Sequence, residues 1–247
     1  MSRFLTALPV FNEASSVDEV LNEVARFSQD TLVVDDGSSD GTSERLAKRV
    51  DIRIVTHPEN RGYGAALLTA FEYARKNDFP VVVTIDCDGQ HVPQRIPEFV
   101  AACTDEVDIV SGSRYLKVFD GDSEPPEQRR RVNKMVTAEL NRRLGLDLTD
   151  AFCGFKAYRV DAISQLQLEE FGYGMPLELW VHAAAAKLHV IELPVPLIYL
   201  DEKRSFGGVL DDALTRLEYY HLVIDRGISN ARESNDHWAE ACGDSLS

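Results

Sequence analysis

Residues 81–85 limit most strongly how this chain can fold. All five side chains of Val81-Val-Val-Thr-Ile85 are β-branched, and Pro80 precedes them. Such a run is typical of a strand that is buried on both faces of a sheet. Two acids, Asp86 and Asp88, follow directly, and residues i and i+2 of an extended chain point the same way. We therefore expect both carboxylates to face one point at the end of this strand.

The Asp-x-Asp pattern has two interpretations. Gly89 allows a sharp turn, and Gln90 and His91 add two further possible ligands. Oxygen ligands at a strand end suit Mg²⁺ or Mn²⁺ that also holds phosphate oxygens. The alternative is an ordinary surface turn, in which Asp and Gly are common. The other segments of the chain favour the metal site.

Strand and helix patterns alternate along the first half of the chain. Strands are expected at residues 4–10, 31–34, 52–55, 81–85 and 108–112. Alternation with short links predicts an α/β fold, with a mostly parallel open sheet covered by helices on both faces. Polar clusters lie where four of these strands end, at Pro9–Glu13, Asp35–Gly37, Asp86–Gln90 and Ser113–Tyr115. Ligands of such sheets bind beyond the carboxyl ends of the strands, so these clusters predict a binding crevice.

Several local features are also predicted. Ser16 and Glu19 have the spacing of a helix capping box. Residues 117–128 carry two prolines and many polar side chains, so we expect a loop there. Residues 190–196 are interrupted by prolines, which favours an edge strand. A last helix is expected to place apolar side chains and one histidine on one side, namely Leu210, Leu214, Leu217, His221 and Ile224.

Composition restricts the class of protein. The chain has 44% hydrophobic and 27% charged residues, as soluble globular proteins do, and no apolar run long enough to span a membrane. A net charge of −15 disfavours nucleic acid as a partner. No signal peptide is expected, and the four cysteines lack paired spacing, which favours the reducing cytoplasm. We expect one domain over residues 1–230 and a polar tail over 231–247.

Residues 129–143 form a basic island in this acidic chain. Six basic side chains and the single acid Glu139 give it a net charge of +5 around an apolar helical stripe. One interpretation is a surface helix packed on its own sheet. The other is a basic amphipathic helix near a membrane surface or an anionic substrate. The two interpretations are compatible.

Six motifs, taken together, resemble the family 2 glycosyltransferases of the GT-A fold, in particular the dolichol- or polyprenyl-phosphate sugar synthases. They occur in the expected order over residues 4–208, at Pro9–Glu13, Val33–Thr42, Asn60–Ala66, Asp86–His91, Gly112–Tyr115 and Asp150–Phe155. Each motif is weak alone, but the ordered set is specific. The resemblance implies a single Rossmann-like domain and an enzyme with a nucleotide-sugar donor, either GDP-mannose or a UDP-sugar.

The resemblance also implies roles for particular residues. Pro9, Phe11 and Glu13 would line a nucleoside pocket, Asp36 would bond the base, and Gly62 would let the backbone approach the nucleotide. Asp86, Asp88 and Gln90 would bind Mg²⁺ or Mn²⁺ and the diphosphate, while His91 would be structural. The candidates for contacting the donor diphosphate or the acceptor phosphate are Arg114, Arg129, Arg131, Lys203, Arg204 and Ser205. The catalytic candidates are Asp88, Arg114, Arg129 and Arg131.

The acceptor is inferred from what an inverting transfer requires. A sugar hydroxyl needs a general base, whereas a phosphate monoester is already anionic, since its second pKa is about 6. The chain lacks the base motifs of hydroxyl-accepting relatives, and Glu178 is the nearest candidate. This favours polyprenyl phosphate as acceptor, with the enzyme cytoplasmic and in peripheral contact with the inner face of the membrane. The alternatives are transfer to a soluble hydroxyl acceptor and a non-catalytic nucleotide-sugar-binding protein.

The sequence departs from the resemblance in two places. The late loop usually reads R-x-x-G-x-S-K in relatives, but here residues 203–208 read Lys-Arg-Ser-Phe-Gly-Gly. Some relatives carry membrane helices at the C-terminus, and none is expected here.

Overall fold

The computed structural model describes residues 3–200 and 208–234. Its centre is a seven-stranded sheet. The strands are β1 (Phe4–Val10), β2 (Thr31–Asp35), β3 (Arg53–Thr56), β4 (Val81–Thr84), β5 (Ile109–Ser113), β6 (Lys156–Arg159) and β7 (Val190–Pro194). The first five match the predicted strands to within two residues at each end.

The sheet is mostly parallel, as predicted, with the strand order β3-β2-β1-β4-β6-β5-β7. β6 is the exception, because it runs antiparallel to both of its neighbours, β4 and β5. β7 pairs with β5 alone and forms the predicted edge strand. The sequence analysis did not predict β6, because its first residue is Lys156, which is buried.

Helices cover both faces of the sheet. They are α1 (Val17–Val24), α2 (Thr42–Leu46), α3 (Tyr63–Lys76), α4 (Ile96–Ala102), α5 (Glu127–Leu144), α6 (Val160–Ile163), α7 (Met175–Ala185) and α8 (Ala213–Ser234). Alternate residues of β1 point to opposite faces. Leu5 and Ala7 join a core beneath α3, α5, α7 and α8, whereas Leu8 and Val10 join a second core beneath α1 and α4.

The capping box predicted for α1 is wrong. Ser16 is the N-cap residue of the helix, but its side chain makes no capping hydrogen bond. Its hydroxyl donates instead to Glu13 Oε2 (3.0 Å) and to the Cys87 carbonyl (2.8 Å). A contact with the segment after β4 therefore replaces the local cap, and it ties the start of α1 to the Asp-x-Asp segment.

The C-terminal helix also differs from its prediction. Of the predicted face, Ile224 is fully buried and Leu217 packs against the core, but Leu214 is 73% exposed, so only part of that face is correct. The buried stripe contains Ala213, Arg216, Tyr220 and Val223, and the buried arginine concealed it in the sequence. The helix continues past residue 230, where the domain was expected to end, to Ser234. Within the described ranges, no helix is both long and apolar enough to cross a membrane.

Candidate active site at the carboxyl ends of the strands

A cavity of about 530 Å³ lies beyond the carboxyl ends of β1, β2, β4 and β5. The segment after β5 brings Arg114 to the cavity, and the start of α5 brings Arg129. Ten of the predicted site residues line the cavity, namely Pro9, Phe11, Glu13, Asp36, Gly62, Asp86, Asp88, Gln90, Arg114 and Arg129. The sequence therefore located the cavity correctly, although the roles assigned to these residues remain predictions.

Asp86 lies on the cavity floor, oriented by two side chains. The Tyr63 hydroxyl donates to Oδ1 (3.0 Å), and His91 donates from Nε2 to Oδ2 (3.3 Å). Burial and the nearby Asp86 charge raise the pKa of Tyr63 well above its usual value, so the phenol remains a donor. Gly154 lies so close that a Cβ there would be 2.1 Å from Asp86 Oδ2. These contacts fix the direction of the carboxylate.

Asp88 and Gln90 form one unit on the turn at Gly89, where φ is +74°. The backbone N–H of Gln90 donates to Asp88 Oδ1 (2.9 Å), and its side-chain amide donates to Oδ2 (3.0 Å). Each carboxylate oxygen has a second lone pair with which to bind a cation. Because the Gln90 amide nitrogen is used in this way, its oxygen is the atom left to act as a ligand.

The donor set of this site fits a divalent cation shared with a diphosphate. Among the described residues, no group of three or more His, Cys, Asp or Glu side chains could hold a metal by itself. Mg²⁺ commonly binds through one or two carboxylates and completes its octahedron with substrate phosphates and water. Asp86, Asp88 and Gln90 supply oxygen ligands of that kind, so the residues present suit Mg²⁺ or Mn²⁺ held together with a nucleotide.

The carboxylate of Asp36 is hydrogen-bonded to groups of the protein itself. It accepts hydrogen bonds from His57 Nδ1 (2.6 Å) and from the backbone N–H groups of Arg61 (3.0 Å) and Gly62 (2.8 Å). Gly62 has φ of +104°, and a Cβ there would be 2.3 Å from the Phe171 carbonyl oxygen. Asp36 therefore shapes the glycine loop that lines the cavity.

Arg114 is held by a buried ion pair. Its Nε and one terminal nitrogen bond the two carboxylate oxygens of Asp150 at 2.7 and 2.9 Å, and Asn133 adds a third bond at 2.8 Å. Burial alone would raise the pKa of Asp150, but the charge and hydrogen bonds of Arg114 outweigh it and lower that pKa to about 2. Asp150 is thus a fixed anion that orients Arg114 at the cavity.

The other basic candidates divide according to their position. Arg129 lines the cavity from the first turn of α5, whereas Arg131 is exposed and does not line it. Two residues correspond to about 200° of rotation around a helix, so these two arginines lie on opposite sides of α5. The prediction that Arg131 acts in the site is not supported by this geometry. Lys203, Arg204 and Ser205 lie outside the described residues.

Glu178, the nearest candidate for a general base, does not line the cavity. It is buried on α7, and one of its carboxylate oxygens accepts the backbone N–H groups of Glu169 (2.8 Å) and Glu170 (2.7 Å). Its position supports the loop that precedes α7. Glu178 is therefore a structural residue.

The sequence analysis missed part of the cavity wall. Further residues that line it include Tyr63, Asn133, Phe152, Tyr173, Pro176, Tyr199, Arg216 and Tyr220. Most of them come from α5, α7, α8 and the connecting loops. Two of them lie within motifs of the sequence, Tyr63 in Asn60–Ala66 and Phe152 in Asp150–Phe155, whereas Arg216 lies outside every motif.

A model of the family named Glycosyl transferase family 2 matches residues 6–167. The chain belongs to this family. The predicted enzyme class, a glycosyltransferase, and the predicted family are thereby confirmed.

Relatives of this family 2 glycosyltransferase include enzymes named for polyprenyl phosphates. An undecaprenyl-phosphate mannosyltransferase of Micrococcus luteus is 29% identical over 235 residues, which is 90% of this chain and 95% of that protein. A polyprenol monophosphomannose synthase of Mycolicibacterium smegmatis is 28% identical over 78% of this chain and 76% of its own length. A dolichyl-phosphate hexose transferase of Haloferax volcanii is 30% identical over 75% of this chain and 78% of its own length.

Solved structures confirm the fold. A glucosyl-3-phosphoglycerate synthase from Mycobacterium tuberculosis superposes with a TM-score of 0.68 at 18% identity, over 92% of this chain and 80% of that one. The same enzyme in complex with Mg²⁺ and uridine diphosphate gives a TM-score of 0.66 at 18% identity, over 93% and 79% of the two chains. The sheet and helices of this chain therefore have the predicted GT-A architecture.

Proposed function

We propose that this enzyme transfers a hexose, with inversion, from GDP-mannose or a UDP-sugar to a polyprenyl phosphate such as dolichyl or undecaprenyl phosphate. The relatives named above support this substrate class. The metal, the nucleotide and the membrane contact are parts of the same proposal.

One observation carries the proposal: the cavity is lined by two chemically different sets of side chains. The carboxylates among the described lining residues, Glu13, Asp36, Asp86 and Asp88, follow strands β1, β2 and β4, whereas Arg114, Arg129 and Arg216 come from the segment after β5 and from α5 and α8. We refer to the first set of residues as the acidic end and to the second as the basic end. The acidic end suits a cation that carries a diphosphate. The basic end suits an anionic acceptor, since arginine pairs well with phosphate.

At the acidic end, the residues of this chain would place the donor. Pro9 and Phe11 offer apolar surface to the base, and the Asp36-bound glycine loop allows the backbone to approach the nucleotide. Asp86, Asp88 and Gln90 would hold the divalent metal, which when bound would offset the charge that builds on the departing diphosphate.

At the basic end, the guanidinium groups would orient the acceptor. A phosphate oxygen of the acceptor attacks the anomeric carbon from the side opposite the diphosphate. A new carbon–oxygen bond forms while the bond to the nucleoside diphosphate breaks with its electron pair, which inverts the configuration. No proton has to leave the nucleophile, because the acceptor phosphate is already ionised at neutral pH. Asp150, whose pKa is lowered to about 2, would be a poor base.

Helix α5 supports a peripheral contact with the cytoplasmic face of the membrane. Its side chains Arg130, Arg131, Lys134 and Arg142 are exposed. Clustered basic residues near a membrane surface are attracted to anionic lipids by about 1 kcal/mol each. The enzyme would thus meet its lipid acceptor at the membrane surface that contains this lipid.

Transfer from radiolabelled GDP-mannose and UDP-glucose to undecaprenyl phosphate in anionic liposomes tests the proposal. Acid-labile labelled lipid should form, and it should depend on Mg²⁺ or Mn²⁺. Transfer to a soluble hydroxy acid or glycan, with none to the lipid under any metal or donor, would contradict the assigned acceptor. Nucleotide-sugar binding without any transfer would contradict catalysis.

A further inference from the structure

The cavity has a second wall, which is built mainly by the last third of the described chain. We define this helical wall as Phe152, Tyr173, Pro176, Arg216 and Tyr220, all of which line the cavity. Four of these five residues follow residue 167, the last that the family model matches. The wall therefore lies largely beyond the segment that the family model matches.

Helix α8 holds the wall in place. The Tyr219 hydroxyl donates to Glu170 Oε1 (2.5 Å) and accepts the backbone N–H of Gly174 (3.2 Å). Arg226 also binds Glu170. A Cβ at Gly174 would be 2.7 Å from a Val223 methyl group, so the loop lies directly on the helix. Tyr173 and Pro176 consequently have fixed positions opposite the strand ends.

Arg216 and an aromatic pair line this part of the cavity. Arg216 is only 4% exposed, yet it lines the cavity, and its guanidinium donates to the carbonyl oxygens of Leu210 (2.7 Å) and Asp211 (3.5 Å). The Tyr220 ring packs against Phe152 with 5.0 Å between centroids. Burial raises the pKa of Tyr220 to about 12, while the charges of Arg216 and Arg129 oppose that rise. Tyr220 therefore stays a neutral phenol at physiological pH.

The helical wall offers basic and aromatic side chains, whereas the acidic end of the cavity offers carboxylates. Arg114, Arg129 and Arg216 are the cationic residues among the described lining residues, and Arg114 is oriented by Asp150. Guanidinium groups bind phosphate well, and aromatic side chains favour an apolar ligand surface. A hydrocarbon chain that ends in a phosphate monoester satisfies both requirements at once.

We propose that Arg216 acts with Arg129 to bind the acceptor phosphate, and that Phe152, Tyr173 and Tyr220 contact the first isoprene units. The inference rests on the proposed function, because it assigns the polyprenyl acceptor to a defined part of the same cavity. It places a substrate-binding residue on α8, outside the motifs from which the family is identified.

Calorimetric binding with the full chain tests this assignment. The probes are farnesyl phosphate, farnesol, and a nucleoside diphosphate with Mn²⁺. Arg216→Gln should weaken farnesyl phosphate binding about tenfold or more, since a charge-assisted contact is lost, and should leave nucleotide binding unchanged. Arg216→Lys should recover part of the affinity. Arg232→Gln, an exposed arginine near the end of the same helix, is the matched control and should bind all probes as the parent does.

The other outcomes overturn the inference. Unchanged farnesyl phosphate affinity in a folded Arg216→Gln variant would remove Arg216 from the acceptor site. Weaker nucleotide binding with normal farnesyl phosphate binding would assign the residue to the donor. An equal loss of both would indicate a general effect on the cavity. Farnesol should bind much more weakly than farnesyl phosphate to the parent, and equal binding would exclude a phosphate subsite.

A measurement on the unaltered protein covers the case in which the variants do not fold. A photoreactive farnesyl phosphate should label peptides that contain residues 152, 173 or 220, and labelling confined to residues 9–13 and 86–90 would refute the inference. Failure of the proposed function is distinguishable. It would appear as absence of transfer to lipid by the parent enzyme, whereas failure of this inference would appear as active transfer with an acceptor KM that Arg216→Gln does not change.

Discussion

Two pairs of acids lie at the ends of two strands of the same sheet, and the chain uses them differently. Asp35 and Asp36 end β2 and are 1% and 3% exposed. Asp35 accepts bonds from Ser38 and Ser43, and Asp36 from His57 and the glycine loop. Asp86 and Asp88 follow β4 and stay half-exposed in the cavity. The first pair mainly orders the backbone around it, and the second is the pair that we propose to hold the metal.

The comparison shows that two adjacent acids at a strand end do not identify a metal site. The hydrogen-bond donors around each acid determine whether its carboxylate is used within the protein or can bind a ligand. Backbone N–H groups surround Asp36 and satisfy it within the protein. Two side chains, Tyr63 and His91, donate to Asp86 and orient it. A carboxylate that is oriented by side chains at the cavity is suited to bind a cation.

Asp88→Ala removes one carboxylate of the Asp86 and Asp88 pair and should have the largest effect on turnover. We expect about a thousandfold loss of kcat, near 4 kcal/mol, because the metal would lose one of its two carboxylates. The melting temperature should hardly change, since the bonds from Gln90 to Asp88 lie within one partly exposed turn. Steady-state kinetics and thermal unfolding measure both quantities.

Asp51→Ala, which alters an exposed acid that does not line the cavity, serves as the control. It should keep full activity. Full activity in Asp88→Ala itself would show that the second pair of acids does not bind the catalytic metal.

Asp36→Ala should show the reverse pattern. It would leave His57 and two backbone N–H groups without their buried acceptor, and we expect a loss of about 3 kcal/mol in the free energy of unfolding. Denaturant titration measures this loss. A stable Asp36→Ala protein that has lost only nucleotide affinity would mean that Asp36 serves the ligand first and the loop second.

Asp150 extends the comparison to an acid that is buried and paired with a single cation. Because its pKa falls from 3.8 to about 2 on folding, the ion pair stabilises the protein fully above pH 4. That stability is lost as the pH falls towards 2. The expected contribution is about 2 kcal/mol.

Urea unfolding of the parent and of Asp150→Asn between pH 2 and 6 tests this expectation. The difference in stability should be constant at the upper end of the range and should shrink below pH 4, as the parent carboxyl takes up a proton. A difference that is independent of pH would show that Asp150 is not ionised in the folded protein.

The sheet and the acidic end of the cavity were predictable because their signals are local. A β-branched run such as residues 81–85 predicts a buried strand wherever it occurs, and polar residues directly after it must lie at the strand end. β6 gave no such signal. It begins with Lys156, whose ammonium is buried, donates to the Cys153 carbonyl and lies over Trp180. Burial lowers the pKa of Lys156.

The basic end was only partly predictable because helix rotation and packing decide it. The sequence presents Arg129 and Arg131 as equivalent, and only the position of α5 on the protein separates them. Gly154 was assigned no role of its own, since its closeness to Asp86 depends on β6 lying beside β4. Arg216 is far from every motif in the sequence. Contacts of this kind require the tertiary structure.

Tyr63 offers the finest test of the difference between the two pairs of acids. The Tyr63→Phe substitution removes the hydroxyl that donates to Asp86 Oδ1, but it keeps the ring that stacks on Tyr173 at 5.9 Å. Asp86 would then turn more freely, and we expect metal affinity and kcat to fall about fivefold, near 1 kcal/mol. Titration of Mn²⁺ by electron paramagnetic resonance, with a nucleoside diphosphate present, measures the affinity independently of turnover.

Tyr73→Phe on the same helix is the matched control, because Tyr73 does not line the cavity. It should leave Mn²⁺ binding unchanged. If Tyr63→Phe also binds Mn²⁺ normally, then Asp86 is held by His91 and by the lack of a side chain at Gly154. In that case the orientation of Asp86, like that of Asp36, would be set mainly by how closely the backbone packs around it.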